Sequence, residues 1–169
     1  MSSDAHDECR DIEDIKRLKS RYFRYLDAKD WNGFRRLFTD DATFEGIWDY
    51  PDGPDKFVET AAAGLATMTT VHYGFMPDIE LTGPDTARGV WSMHDYLEWP
   101  EPIESYRGIA VPGMRAIRGY GYYAETYRRV GSPPRWAISS LRLLRLRVDP
   151  VVGPALPRLE SRWPAATNQ

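Results

Sequence analysis

The sequence has a single cysteine, Cys9, so it cannot form a disulfide bond within the chain. A protein without disulfides suits a reducing compartment. The N-terminal segment is acidic and polar, without the basic start and apolar run of a secretory signal. No stretch approaches the roughly 18 to 20 consecutive apolar residues of a membrane helix. We therefore expect a soluble, cytoplasmic protein that does not insert into a membrane.

The chain also lacks a concentration of positive charge. Its formal net charge is -3, and its 22 lysines and arginines form no long run. Because nucleic-acid-binding proteins usually present a concentrated positive field, no nucleic-acid partner is expected. The 169 residues are enough for one domain with a substantial core.

Several motifs that carry catalytic chemistry are missing. No glycine-rich phosphate loop precedes a predicted helix, and the patterns HExxH, CxxC and GxSxG do not occur. A serine nucleophile, a bound metal and a cofactor are therefore not expected. The chemistry that remains is proton transfer by histidine, aspartate and tyrosine side chains in an apolar cavity.

The predicted elements run from helices to strands. Apolar residues at three- and four-residue steps predict a long amphipathic first helix with Asp11 as its N-cap. A short helix carrying Trp31 to Phe38 follows, with residues 39–41 as its exit loop, and a third helix is predicted over 55–68. The order predicts an α+β fold, with helices on one face of a curved antiparallel sheet. The predicted strands are 42–48, 70–75, 78–81, 86–99, 116–130 and 135–148.

Turn signals and proline content divide the chain further. Residues 1–10 are predicted to be a flexible leader, 11–148 one domain, and 149–169 an irregular proline-rich tail. Residues 101–115 contain two prolines and two glycines and are predicted to be a loop. Within it, 108–113 could cover the mouth of a cavity, or be a plain surface loop.

Two histidines lie in predicted strands. Alternation places His72 on the face opposite Val71, Tyr73 and Phe75. If that face is concave, the imidazole enters the cavity; otherwise it is an ordinary core or surface histidine. His94 has the neighbour Asp95, and adjacent strand residues point to opposite faces. Spacing alone does not choose which of these two enters the pocket.

An aspartate at the end of the predicted first helix is unusual. The helix dipole disfavours an anion at the position of Asp27 by roughly 0.3 to 1 kcal/mol. A turn contact or solvent exposure would explain it; so would a functional role, in which the carboxylate holds a histidine in one tautomer. Tyr22 lies about 140° away on an ideal helical wheel. The two share a pocket only if Asp27 is at the helix edge or the last turn is distorted.

A family resemblance is carried by several segments in order. Residues 11–19 lead into 21–27 and then Asp30-Trp31, followed at similar spacing by 71–74, 77–79, 86–91 and 136–146. From about 11 to 147, the chain resembles the SnoaL-like branch of the nuclear transport factor 2-like superfamily. Within that branch it most resembles the bile acid 7α-dehydratases, and more distantly the scytalone dehydratases.

The resemblance implies a cone-shaped α+β barrel that forms homodimers or homotrimers. It also implies roles for particular residues. Those matching catalytic positions are Tyr22, Asp27, His72, His94 and Asp95, and Arg145 matches an arginine of the last strand. Apart from the resemblance, the aromatic residues near the predicted pocket suggest a flat apolar substrate, and the predicted substrate-binding residues are Arg145, Trp48, Tyr73, Trp91 and Tyr122.

These residues predict an enzyme, a cofactor-independent dehydratase acting on a cyclic, largely apolar ketone such as a polyketide or a steroid-like molecule. In this hypothesis His72 takes a proton beside the carbonyl, Asp27 orients the imidazole, and Tyr22 donates a hydrogen bond to the enolate oxygen. Two alternatives stay open. The same pocket could serve a polyketide cyclase or a ketosteroid-type isomerase, or it could hold a small molecule without chemistry.

Overall fold

The computed structural model describes residues 3–47 and 52–154. In this part of the chain, helices and one strand come first and four long strands follow. The elements are α1 Ser3–Ala28, α2 Trp31–Arg35, β1 Phe38–Glu45, α3 Gly53–Leu65, β2 Thr69–Gly83, β3 Thr86–Tyr106, β4 Ile109–Val130 and β5 Arg135–Val152.

The five described strands form one sheet in the order β1-β5-β4-β3-β2. Strands β2 to β5 are an antiparallel meander, and β1 joins the edge by pairing in parallel with β5. The α+β fold with N-terminal helices over a curved sheet, predicted from the sequence, is confirmed. The parallel edge pair is the one departure from a wholly antiparallel sheet.

The core lies between the helices and the inner face of the sheet. Ile15, Leu18, Tyr22 and Leu26 are buried on one face of α1, as their three- and four-residue steps predict. Each large apolar side chain buried in this way contributes roughly 1.5 to 3 kcal/mol. None of the described helices is both long enough and apolar enough to cross a bilayer.

The first helix begins earlier than predicted. Helix α1 starts at Ser3, so most of the predicted leader is helical, and Asp11 does not cap it. The Asp11 carboxylate instead accepts hydrogen bonds from the Arg129 guanidinium and from Trp136 Nε1, the latter at 3.1 Å. The acidic residue marks a contact between α1 and the sheet rather than a helix end.

The predicted loop at 101–115 is a β-hairpin. Strand β3 runs to Tyr106 and β4 starts at Ile109. The turn residues Arg107 and Gly108 have φ values of 50° and 79°, a left-handed conformation that glycine adopts without strain. Strand β5 likewise continues to Val152, through the start of the predicted tail, while 155–169 lie outside the described residues.

Smaller boundary differences have local causes. The two strands predicted at 70–75 and 78–81 are one strand, β2, interrupted by a register shift at Met76 with φ 43°. Helix α2 ends at Arg35, and β1 includes the predicted exit loop 39–41. These polar residues lie in the part of β1 where the register with β5 shifts, between Phe38 and Thr43.

Candidate active site

An interior cavity of about 100 Å³ lies beneath the sheet. One part of its wall is apolar, formed by Leu26, Ile47, Phe57, Leu65, Leu97 and Leu143. The polar lining groups are Tyr22, His72, Asp95, Tyr106, Arg107, Tyr123 and Arg145. An apolar wall with a few converging polar groups is typical of small-molecule sites.

Asp27 and His72 are in direct contact. His72 Nδ1 lies 2.7 Å from Asp27 Oδ1, and the His72 backbone N–H donates to Oδ2 at 2.8 Å. The Thr70 hydroxyl donates to Oδ1 at 2.8 Å. Because a carboxylate only accepts hydrogen bonds, the contact assigns the imidazole proton to Nδ1 and leaves Nε2 as the free ring nitrogen. The structure therefore brings together the pair singled out in the sequence.

The end of α1 explains how the aspartate reaches the histidine. The helix ends at Ala28, and Lys29 has φ 60°, which turns the chain away. Asp27 lies at the helix edge with a quarter of its side chain exposed, whereas His72 is buried. Asp27 is not part of the wall of the interior cavity, and Tyr22 is. Tyr22 and Asp27 therefore need not lie on the same side of α1, because the Asp27 carboxylate contacts the imidazole from outside the cavity.

Strand pairing settles the choice between His94 and Asp95. His72 is opposite Asp95 in the β2–β3 register, and both side chains are buried on the inner face. His94 points to the outer face, where its ring stacks with those of Tyr73 at 6.3 Å and Tyr120 at 5.0 Å. The prediction of His94 as a pocket residue is corrected, because the side chains of His94 and His72 point to opposite faces of the sheet.

Arg145 binds Asp95 inside the cavity. Its two terminal nitrogens donate to the two carboxylate oxygens at 3.1 and 2.5 Å. The pair lies against Gly119 of β4, where a Cβ atom would be 1.8 Å from Arg145 Nη1 and 2.1 Å from Asp95 Oδ1. A side chain at this position would therefore displace the ion pair from this arrangement. The cavity wall therefore carries the Arg145 guanidinium, which Asp95 both holds in place and neutralises.

Two buried tyrosines supply hydroxyl groups to the cavity. Burial is the largest cause that raises the pKa of Tyr22 well above its ordinary value, and the same cause raises that of Tyr123. Both phenols therefore stay neutral across the physiological range. A neutral phenol can donate a hydrogen bond to a developing oxyanion.

Beneath these tyrosines lies an ion pair that the sequence interpretation missed. Lys19 and Glu125 are in contact and both side chains are 0% exposed. Lys19 Nζ is 4.0 Å from the ring centroid of Tyr22 and 3.8 Å from that of Tyr123. Burial lowers the pKa of Lys19, and the Glu125 carboxylate opposes that shift. Tyr127 donates from its hydroxyl to the other Glu125 oxygen at 2.5 Å.

A signal for this pair was present in the sequence. Lys19 follows Ile15 by four residues and precedes Tyr22 by three, so it lies on the apolar stripe of α1. A charge on a buried stripe requires a buried partner. The sequence does not identify the partner, because Glu125 is 106 residues away.

The aromatic residues that were predicted to bind the substrate do not form the wall of the interior cavity in the described part of the chain. Tyr73 and Tyr122 are on the outer face of the sheet, 49% and 39% exposed. Trp91 is buried and donates from Nε1 to the Tyr127 hydroxyl at 2.8 Å. None of these three lines the interior cavity, and Trp48 lies outside the described residues.

A second groove reaches the same pair, Asp27 and His72. It has a volume of about 460 Å³, and its lining includes Asp27, His72, Tyr73 and Trp91. His72 thus separates the interior cavity from this groove. In residues 3–47 and 52–154, no three His, Cys, Asp or Glu side chains cluster so as to hold a metal ion.

The fold and this site define a class of protein, a sheet curved over helices with a histidine in the wall of a cavity and an aspartate holding it from outside. The chain belongs to the SnoaL-like domain family, whose sequence profile matches residues 7–142. The family expected from the opening segments is thereby confirmed. The match spans the three helices and most of the sheet.

Individual relatives are distant. "Probable cyclase FGR4" of Gibberella zeae is 25% identical over 146 residues, which cover 78% of this chain and 89% of the relative. The hexachlorocyclohexane dehydrochlorinase LinA, type 2, superimposes with a TM-score of 0.70 at 20% identity, covering 92% of this chain and 97% of that one. A candidate scytalone dehydratase from Novosphingobium aromaticivorans has a TM-score of 0.69 at 18% identity, covering 96% and 99%. These two structures share the fold.

Proposed function

We propose that the protein is a cofactor-independent dehydratase that acts on a cyclic, largely apolar ketone of the polyketide or steroid-like class. The observation that carries the proposal is the 2.7 Å contact of Asp27 with His72, which lines a partly apolar cavity. The names of the relatives, a cyclase, a dehydrochlorinase and a candidate scytalone dehydratase, favour chemistry that starts with proton abstraction. We infer loss of water from the resemblance to bile acid 7α-dehydratase that was predicted from the sequence.

The proposed reaction has two proton transfers. His72 Nε2 takes a proton from the carbon beside the ketone, and Asp27 stabilises the resulting imidazolium. Tyr22 donates a hydrogen bond to the enolate oxygen. The imidazolium then returns the proton to a β-hydroxyl group, which leaves as water as the enolate collapses. The product is an α,β-unsaturated ketone, and the enzyme returns to its starting protonation state.

The ion pair of Arg145 with Asp95 is proposed to position the substrate. Its guanidinium is held at two points, so a carbonyl or hydroxyl group of the ligand could accept a remaining N–H without moving the pair. In this arrangement Asp95 acts as an anchor and not as a second general base.

The proposed substrate requires more space than the cavity offers. About 100 Å³ is below the roughly 300 to 1,000 Å³ of sites for drug-sized ligands. Tyr106 and Arg107, at the tip of the β3–β4 hairpin, form part of the wall. We propose that this tip moves outward to admit a ring system, which assigns a covering role to the hairpin.

Incubating the protein with a panel of fused-ring β-hydroxy ketones is expected to give products lighter by one water. Mass spectrometry with chromatographic separation measures the loss. A product of unchanged mass with a shifted double bond would favour the isomerase alternative, and a new ring formed from an open-chain polyketide the cyclase. Saturable binding of panel members without any conversion would contradict an enzyme and favour a binding module.

The tautomer of His72 tests the role of Asp27 without a substrate. Nitrogen-15 NMR of the wild-type protein is expected to show the proton on Nδ1. In Asp27→Asn the new amide can donate to Nδ1, so the proton should move to Nε2. Asp14→Asn, on the same helix and paired with Arg17 at 2.8 Å, is the matched control and should leave the tautomer unchanged. An unchanged His72 tautomer in Asp27→Asn would contradict the proposed role of Asp27 in orienting the imidazole.

The small-molecule substrate and the homodimer or homotrimer implied by the family resemblance stay predictions. The outer sheet face carries Tyr73, Phe75, Tyr120 and Tyr122, which are each more than a third exposed. Exposed apolar patches of this kind often mark protein contacts. We propose that this face joins copies of the chain, which sedimentation analysis would test.

A further inference from the structure

A third groove lies away from the acid–base pair. It has a volume of about 430 Å³ and is formed where α1 passes α2 and the β4–β5 hairpin. It shares no lining residue with the interior cavity or with the groove beside Asp27. We call it the arginine groove, since its charged lining residues are Arg17, Arg21, Arg36, Arg129 and Arg135, with Asp11 and Asp14.

Both carboxylates of the arginine groove are already occupied. Asp14 accepts a hydrogen bond from Arg17 at 2.8 Å, and Asp11 accepts one from Arg129. Five arginines against two aspartates leave an excess of three positive charges. The whole chain has a net charge of -3. The groove is therefore a local positive field on an acidic protein.

The remaining three arginines are uncommitted. Arg21, Arg36 and Arg135 are exposed, and within residues 3–47 and 52–154 their side chains make no ion pair or hydrogen bond. Arg129 is already paired, since its buried Nε lies 3.8 Å from Asp85 Oδ1, so it adds no free charge to those three. A multiply charged anion would supply the counter-charge and the acceptors that are missing.

Separate elements bring these arginines to one place. Arg21 follows Arg17 by one helical turn on α1, Arg36 is the C-cap of α2, and Arg135 is the first residue of β5. Tertiary folding rather than a run in the sequence therefore creates the cluster. Like charges brought together repel, so this arrangement does not stabilise the fold by itself.

We propose that the arginine groove binds a small molecule through a phosphate or diphosphate group. The planar guanidinium matches phosphate oxygens with two parallel hydrogen bonds. A phosphate group carries about -1.5 to -2 charges at neutral pH, more than a carboxylate, and so offsets three guanidiniums better. A groove of about 430 Å³ is in the size range of small-ligand sites. The site is independent of the proposed dehydratase chemistry.

The test measures binding of inorganic pyrophosphate by isothermal titration calorimetry at low salt. Saturable one-to-one binding is expected, and it should weaken as ionic strength rises. Arg21→Gln, Arg36→Gln and Arg135→Gln should each raise the Kd by roughly tenfold, the effect of losing one charged hydrogen bond. Arg118→Gln is the matched control, because it removes the same charge from an exposed residue near the middle of β4, outside the groove. It should leave the Kd unchanged.

Two further ligands define the class. ADP binding as tightly as pyrophosphate, or more tightly, would support a phosphorylated small molecule. Citrate binding as tightly as pyrophosphate would overturn recognition of phosphate, since charge alone would then suffice. No binding of pyrophosphate, or an equal loss in Arg118→Gln, would overturn the site. A polyglutamate peptide that binds where pyrophosphate does not would overturn it in favour of an acidic protein partner.

Discussion

Replacing His72 with alanine is expected to lower turnover by roughly 10²- to 10⁴-fold, the contribution of one general acid–base group. The dehydration needs a base for the carbon-bound proton and an acid for the leaving hydroxyl, and in our proposal the one imidazole does both. Steady-state kinetics on the substrate identified by mass spectrometry measures the loss in kcat.

The fold should survive the change. Two of the three hydrogen bonds that Asp27 accepts come from the Thr70 hydroxyl and from the backbone N–H of residue 72, and neither needs the imidazole. Circular dichroism and the thermal unfolding midpoint check this directly. A drop in activity that merely follows unfolding would therefore be recognised.

His94→Ala is the matched control for His72→Ala. It also removes an imidazole, from the neighbouring strand β3, but on the outer face of the sheet beside Tyr73 and Tyr120. Its kcat should stay within a factor of about two, in the range of surface substitutions away from special features. Wild-type turnover in His72→Ala, or a comparable loss in both variants, would end the acid–base proposal.

Periodicity alone predicted much of the site's layout. The three- and four-residue steps place Tyr22 on the buried face of α1. Strand alternation places the side chains of His72 and Tyr73 on different faces of the sheet. Both are local properties, determined within one element. The contact of Asp27 with His72 is not local, because it depends on how the end of α1 meets β2, 45 residues later.

The choice of Asp95 over His94 needed the register of β2 against β3. Alternation says that the two neighbours point to opposite faces, but not which face is inner. That follows only from the pairing of His72 with Asp95. For the same reason the sequence did not show on which face of the sheet the Tyr122 side chain lies. It lies on the outer face.

Prolines misled the prediction of the loop at 101–115. Pro102 lies in β3 between Glu98 and Ile103, and Pro112 lies in β4 between Ala110 and Met114; the β3–β4 register shifts at both places. A proline cannot donate to the ladder, and an irregular stretch of strand tolerates it. The composition of the segment correctly indicates broken pairing, but the strands resume beyond it and form the hairpin that reaches the cavity.

Lys19→Met is expected to have the largest effect on stability, a loss of about 3 to 5 kcal/mol. The methionine fills the space of the lysine stem but leaves the Glu125 carboxylate buried without a counter-charge. Because small domains are stable by only about 5 to 15 kcal/mol, this is a large fraction of the total. Urea unfolding followed by tryptophan fluorescence measures the free energy of unfolding.

The double variant Lys19→Met with Glu125→Gln separates charge from packing. Glutamine keeps an oxygen for the Tyr127 hydroxyl, and no buried charge remains, so most of the lost stability should return. Lys16→Met is the matched control, since Lys16 pairs with Glu13 at 2.7 Å on the solvent face of α1. Breaking that exposed pair should cost at most about 1 kcal/mol.

The same variants test whether the buried ion pair also organises the site. In the double variant the rings of Tyr22 and Tyr123 lose the ammonium that lies about 4 Å from each centroid. Cation–π contacts of desolvated groups contribute about 2 kcal/mol, so the rings should become less fixed even where stability recovers. Equal destabilisation by the single and double variants would show that the loss comes from the missing ammonium itself and not from a Glu125 carboxylate left without a counter-charge.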